Sequence, residues 1–280
     1  RDRMRRKTRK KMILDKNGVK LAYYVYGEGE PTLVFVIAWV WTGALWIPQV
    51  DYFSKNFKMV TIDMRGTGES DKPADNYTLD LYADDLNSII EELHEKKIVL
   101  VGECNGASIA VKYVSKYPNN VSKLILVAGT PKFLATDDFP YGNPPDGVSF
   151  LCELFKESYS NGMRVFMENL FPEPGTRYLR EWGVEMSQKT SLEIAVNSLM
   201  NHGEADLRPL LSKIDIPTLI LHGENDGGVR CENARYMHEN IPGSKMYIFK
   251  GKGHFPSVTA ADEFNRILEE FITTGKLPKD

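Results

Sequence analysis

From Lys97 to Tyr117 the chain passes from one backbone geometry to another within a few residues. Residues 98–101 read Ile-Val-Leu-Val, a short β-branched apolar run that marks a strand buried on both faces of a parallel sheet. Gly102, Cys104 and Gly106 follow at once, and from Ala107 the composition and apolar spacing are those of a helix. A strand that turns into a helix this abruptly leaves no room for side chains at its flanks, which accounts for the two glycines. Cys104, between them, is expected to sit in strained backbone with its side chain raised above the sheet.

The same alternation of strand and helix recurs along the chain. Buried or alternating runs predict strands over 19–26, 33–37, 58–62, 121–128, 217–223 and 245–249. Helices are expected over 48–55, 78–94, 231–240 and 259–273, the second with apolar residues at 79, 82, 86, 89, 90 and 93 and with Thr78 or Asp80 as its cap. Between 132 and 213 the rhythm changes. No buried strand is legible there, and helical patterns near 147–160, 161–170, 176–188 and 190–201 are separated by Pro140, Pro144, Pro145, Pro172 and Pro174. The expected fold class is therefore α/β, a doubly wound, mostly parallel sheet built from 16–131 and 214–277. An all-helical cap over 132–213 would lie above the carboxyl ends of the strands, where such sheets bind ligands.

Composition narrows the setting. Residues 1–12 hold eight Lys or Arg and one Asp, so the net charge of −3 leaves about −10 for the remainder. Residues 1–15 are read as a disordered basic tail, and no nucleic-acid or membrane partner is expected from them. Three cysteines, at 104, 152 and 231, have neither metal-ligand spacing nor a disulfide framework, which favours a reducing, cytoplasmic setting. No metal or organic cofactor is implied. The expected partner is a small-molecule substrate, and the oligomeric state stays open.

Four motifs sharpen this. Gly102-Glu103-Cys104-Asn105-Gly106 matches the Gly-x-Ser-x-Gly nucleophile elbow with cysteine in place of serine. Asp63-Met64-Arg65-Gly66-Thr67-Gly68-Glu69-Ser70 matches an Asp-x-Arg-Gly-x-Gly-x-Ser loop, read as a structural turn in which Asp63 and Arg65 tie neighbouring loops together. Gly223, Asp226 and Val229 match Gly-x-x-Asp-x-x-Val, and Gly253-His254-Phe255-Pro256 matches a histidine-bearing loop. On these motifs the chain resembles the alpha/beta-hydrolase family from about residue 16 to residue 277. The resemblance implies a triad in the family's chain order: Cys104 as nucleophile, Asp226 as acid and His254 as base. Glu224 and Asn225 are weaker alternatives for the acid. A cysteine nucleophile is similar to that of dienelactone-hydrolase-like members. A free thiol titrates near 8.5, so it needs an imidazole to take its proton and a carboxylate to orient that imidazole.

The departures from the family pattern cluster at one place. The usual His-Gly after the third strand is replaced by Ala38-Trp39. On that register the N–H groups of Val40 and Asn105 form the oxyanion hole, where losing one donor costs roughly 3–4 kcal/mol. Trp39 and Trp41 are expected to contact substrate, together with Phe133 and Phe255. Altered site residues on an ordinary scaffold suggest a specialised or redesigned active site. The implied activity is hydrolysis of small hydrophobic or aromatic carboxylic esters or lactones through a thioester. The alternatives are a catalytically silent scaffold that binds a small ligand, or a non-hydrolytic lyase or acyl-transfer reaction.

Overall fold

The computed structural model describes residues 9–74 and 76–278. Its strands are β1 (Lys10–Lys16), β2 (Val19–Tyr26), β3 (Leu33–Val36), β4 (Met59–Asp63), β5 (Ile98–Glu103), β6 (Val121–Val127), β7 (Thr218–Gly223) and β8 (Lys245–Phe249). They form one sheet in the order β1-β2-β4-β3-β5-β6-β7-β8. From β4 to β8 every pairing is parallel, and β1 and β2 extend that sheet antiparallel at one edge. β3, β4, β5 and β7 are buried along their whole length, which is why apolar residues dominate them, as in Leu33–Val36 and residues 98–101.

The helices that cover the sheet are α1 (Ile47–Phe53), α2 (Leu79–Glu92) and α3 (Asn105–Lys116). The inserted cap is α4 (Pro145–Glu157), α5 (Tyr159–Leu170), α6 (Arg177–Ser187), α7 (Leu192–Glu204) and α8 (Arg208–Leu211). The chain closes with α9 (Glu232–Asn240), α10 (Pro256–Thr259) and α11 (Ala261–Thr274). Thr78 caps α2 as its sequence suggests, its hydroxyl accepting from the Leu81 N–H at 3.2 Å. No helix among the described residues is long and apolar enough to cross a membrane.

The amino-terminal expectation needs correction. Residues 1–8 lie outside the described residues, but from Lys10 the supposed tail is a strand, paired with β2 from Lys10 opposite Val25 to Lys16 opposite Val19. Met12, Leu14 and Lys16 are half-buried on one face while Lys10, Lys11 and Ile13 are exposed. The turn between the strands is closed by Asp15, whose Oδ1 accepts from the Gly18 N–H at 2.8 Å. An edge strand that carries lysines discourages further pairing, and the same lysines make it read as a charged tail.

The Asp63–Ser70 loop ties elements together as expected. Asp63 accepts from the Gly43 N–H at 2.8 Å and the Glu69 N–H at 3.0 Å, joining the chain after β3 to the chain after β4. Arg65 forms a two-pronged ion pair with the buried Asp85 of α2 at 2.6 and 2.8 Å, and Lys16 reaches the same carboxylate at 3.0 Å. Removing one partner of such a pair strands a buried charge.

Packing under the β5–α3 junction leaves no room for a side chain. A Cβ on Gly102 would stand 2.2 Å from the Gly106 carbonyl oxygen, and one on Gly106 would stand 2.6 Å from the carbonyl oxygens of both Val36 and Ile37. Gly106→Ala therefore has to push α3 away from β3, since the obstacles are backbone. We expect it to lower stability by about 1–3 kcal/mol or more, read as a lowered urea midpoint with an unchanged m-value.

Candidate active site

Cys104 stands at the sharp junction with φ 56° and ψ −118°, a conformation that costs a non-glycine residue roughly 1–3 kcal/mol. The backbone holds it there. The Cys104 N–H donates to the Val127 carbonyl of β6 at 2.8 Å, while the Cys104 carbonyl accepts from the Ala107 N–H at 3.0 Å. The side chain is half-buried and borders a cavity of about 280 Å³ between the sheet and the cap.

The loops after β7 and β8 bring the other two residues in. The His254 Nδ1–H donates to Asp226 Oδ2 at 2.7 Å, and His254 and Cys104 border one cavity closely enough for the sulfur to bear on the protonation of the ring. Asp226 Oδ1 accepts from the N–H groups of Gly228 and Val229 at 2.8 and 2.9 Å. His222, the penultimate residue of β7, places its Nε2 3.0 Å from Asp226 Oδ2 and 2.8 Å from the Val229 carbonyl. Both neighbours of that nitrogen are acceptors, so Nε2 carries the proton, and Nδ1 is buried without a partner. Asp226 is thus met by two imidazoles and two backbone N–H groups. Burial alone would raise its pKa, but His254 and His222 hold it below the usual carboxylate range. Burial likewise opposes protonation of His254, yet the Asp226 carboxylate and the neighbouring Cys104 side chain raise its pKa well above the ordinary imidazole value. Glu224 and Asn225 do not take the acid's place: the Glu224 carboxylate is engaged by the Gly251 N–H at 2.9 Å.

The structure divides the other expected residues. Trp39 and Phe133 line the cavity with Cys104 and His254. Trp41 and Phe255 do not. Each is 1% exposed, and they pack on one another at 4.9 Å, with Trp182 at 5.0 Å from Trp41 and Phe171 stacked on Phe255 at 5.1 Å. Both belong to the core beneath the cap. The cavity wall comes instead from α4 and α5, including Phe150, Leu154 and Phe166.

The turn after β3 differs from a glycine-bearing one in an informative way. The Trp41 N–H donates to the Ala38 carbonyl at 3.2 Å, and Val40, third in the turn, has φ 56°. A β-branched residue there is strained, because glycine is the residue that adopts this conformation freely. The Trp39 side chain does not block the site. Its Nε1–H reaches the Ala195 carbonyl at 3.1 Å and the Ser198 hydroxyl at 3.0 Å, both on α7. Val40 and Asn105 face a small void behind Trp39 and are absent from the lining of the Cys104 cavity.

Comparison with known proteins agrees with this arrangement. Residues 31–158 match the model of the alpha/beta hydrolase fold, and residues 198–280 match that of a TAP-like protein. An esterase from Exiguobacterium antarcticum superposes with a TM-score of 0.88 at 31% identity, covering 92% of this chain and 97% of that one. The chain belongs to the alpha/beta-hydrolase family. It is an enzyme of carboxylic-ester-hydrolase type. This hydrolase is also 28% identical to a bifunctional esterase/perhydrolase of Acinetobacter calcoaceticus, over 93% of its own length and 98% of the relative's. A solved N-acyl homoserine lactone degrading enzyme superposes with a TM-score of 0.81 at 26% identity, over 93% of this chain and all of that one.

Three groups at the hydrolase site were not expected from the sequence. His222 was in plain view four residues before Asp226, but only the fold shows that both point to one place. His202, at the far end of α7, carried no motif. Glu103 is the third: its side chain is fully buried and both carboxyl oxygens lie within 2.9 Å of the Ser257 hydroxyl. Burial pushes the Glu103 carboxyl up to about 8, against the favourable Ser257 hydrogen bond and the positive influence of His254. At neutral pH it is mostly an uncharged acid.

Stability then depends on pH in a definite direction. Above about pH 4.5 an unfolded Glu103 has released its proton while the folded one keeps it until about pH 8. Its contribution to stability is full below the first value and is lost as pH rises through the second. Glu103→Gln removes this loss. The melting temperature of the variant, relative to the parent, is expected to rise between pH 5 and pH 9, as measured by scanning calorimetry.

Proposed function

We propose that this hydrolase cleaves small hydrophobic or aromatic carboxylic esters or lactones through a thioester on Cys104. The observation that carries the reading is the Asp226–His254–Cys104 alignment at the edge of a predominantly apolar cavity. The esterase and lactone-degrading names of its relatives point to the same substrate class.

The chemistry follows from the geometry. The proton on His254 Nδ1 is committed to Asp226, so the proton that leaves the Cys104 thiol resides on Nε2. The sulfur attacks the ester carbonyl carbon, and the carbonyl π electrons move onto oxygen. Asn105 opens α3, and its N–H, at the positive end of that helix, is the first proposed donor to that oxyanion. The second donor is a peptide N–H of the Trp39–Val40 turn, the strained element that fills the place of the family's His-Gly. Collapse breaks the carbon–oxygen bond, and the alcohol leaves with the proton held by His254. Water, deprotonated by the same nitrogen, then attacks the thioester. The carboxylic acid departs and the Cys104 sulfur recovers its proton. Net, one ester and one water become one acid and one alcohol.

Intact-mass spectrometry during reaction with p-nitrophenyl butanoate tests this. The expected result is an acyl adduct that forms and decays while p-nitrophenol accumulates, and that is missing in Cys104→Ala. Asp226→Asn is expected to slow adduct formation by on the order of 10⁴-fold, because the imidazole loses its orienting acceptor. An adduct that never decays would mark a trapped acyl-enzyme, and its absence with no turnover above the Cys104→Ala protein would leave a binding scaffold.

A further inference from the structure

His202 lies in the last turn of α7, in the cap, yet its ring lines the cavity that Cys104 borders. Its Nε2 lies 2.9 Å from the hydroxyl of Ser108, which is one helical turn beyond Cys104 on α3. The ring stacks on Phe133 with centroids 5.0 Å apart and an interplanar angle of 27°. Cap, core and cavity wall therefore hold one imidazole in place.

The available protons decide its tautomer. Ser108 has one hydroxyl proton, and it points to the Thr130 carbonyl at 3.1 Å. No other donor reaches that carbonyl among the described residues, and a buried carbonyl left without one is costly. Ser108 thus presents a lone pair to His202, so the His202 Nε2 is the N–H donor and its Nδ1 is a bare acceptor. Nothing else among the described residues donates to Nδ1. Burial pushes the His202 pKa down to about 4, so the ring stays neutral and keeps this acceptor at pH 7.

Two amides on the lining each spend an N–H on the protein itself. The amide of Asn143 donates to the Gly228 carbonyl at 3.1 Å and that of Asn169 to the Val165 carbonyl at 3.4 Å. Against a wall of phenylalanine, leucine and valine, an imidazole acceptor without a partner is a place to recognise a donor.

We propose that His202 Nδ1 is a substrate-binding acceptor that selects acyl groups carrying a hydroxyl or amide N–H close to the reacting carbonyl. The proposal rests on the ester-hydrolase reading for the word substrate, and on the cavity alone for the binding. Ser108 lies in the first turn of α3, just past the junction that holds Cys104, and the His202 ring borders the same cavity as the sulfur, so the donor belongs on the acyl chain near the attacked carbon.

The test uses three aryl ketones that cannot be hydrolysed: 1-phenylbutan-1-one, its 3-hydroxy derivative and its 3-methoxy derivative. Their binding is followed by quenching of tryptophan fluorescence, because Trp39 lines the same cavity. The parent protein is expected to hold the hydroxy ketone about 3- to 10-fold more tightly than the unsubstituted one, with no gain for the methoxy compound. His202→Phe keeps the stack on Phe133 and is expected to abolish the preference. The matching p-nitrophenyl butanoate and 3-hydroxybutanoate should show the same preference in KM. Equal binding of hydroxy and methoxy ketones by the parent, or a preference that survives in His202→Phe, would overturn the proposal. A ketone preference without any ester turnover would uphold it and overturn the hydrolase reading alone.

Discussion

Where β5 meets α3 there is room for backbone and nothing more. Gly102 and Gly106 close on one another, and Gly106 also touches the backbone of β3. That closeness forces Cys104 into its positive φ and turns its side chain away from the crowded side, into the cavity. It also sets the first N–H groups of α3 beside the sulfur. β5 lies inside the sheet, between β3 and β6, so loops from both sides converge on its carboxyl end. β7 and β8 contribute Asp226 and His254, and β3 contributes the turn that bears Trp39 and Val40. The rest of the site is arranged around a contact between two backbones.

The electrostatics follow a similar economy of space. A buried carboxylate is costly unless its oxygens are occupied, and Asp226 has an N–H or an imidazole directed at each. His222 supplies one of these from within the strand, so the acid is fixed from behind as well as from the front. Glu103 follows the other course. With only Ser257 to satisfy it, it keeps its proton, and the core avoids a second buried anion close to Asp226. Two carboxyl groups in one core are thus given opposite charge states by the number of donors each can reach.

Much of this is legible in the amino-acid sequence alone. Strands buried on both faces announce themselves as apolar runs, and the bounds of β2 and β8 fall where the sequence predicts them. The elbow, the acid and the histidine sit in short motifs whose local geometry explains their composition. What escapes a sequence reading is set by contacts between distant segments. β1 hides in a charged run, because only one face of an edge strand is covered and that face carries just Met12, Leu14 and the stem of Lys16. Trp41 and Phe255 neighbour site residues in sequence, but each turns inward to the other. His202 and Ser108 are ninety-four residues apart, and no spacing rule joins them.

Trp39 hydrogen-bonds to α7, and His202 on the same helix hydrogen-bonds to α3. These two links come from opposite walls of the site and meet on one cap element. In mechanical terms α7 travels with the sheet, and displacing it would drag both the strained turn after β3 and the helix that follows Cys104. α4 and α5 pack Phe155 and Phe166 on the Trp39 ring, and the Leu170 carbonyl at the end of α5 accepts from the His254 N–H at 3.0 Å, while Phe150 and Val165 face solvent at the rim of the cavity. The cap is therefore anchored at once to the strained turn, to α3 and to the loop that carries His254, so no one of these can move without the cap.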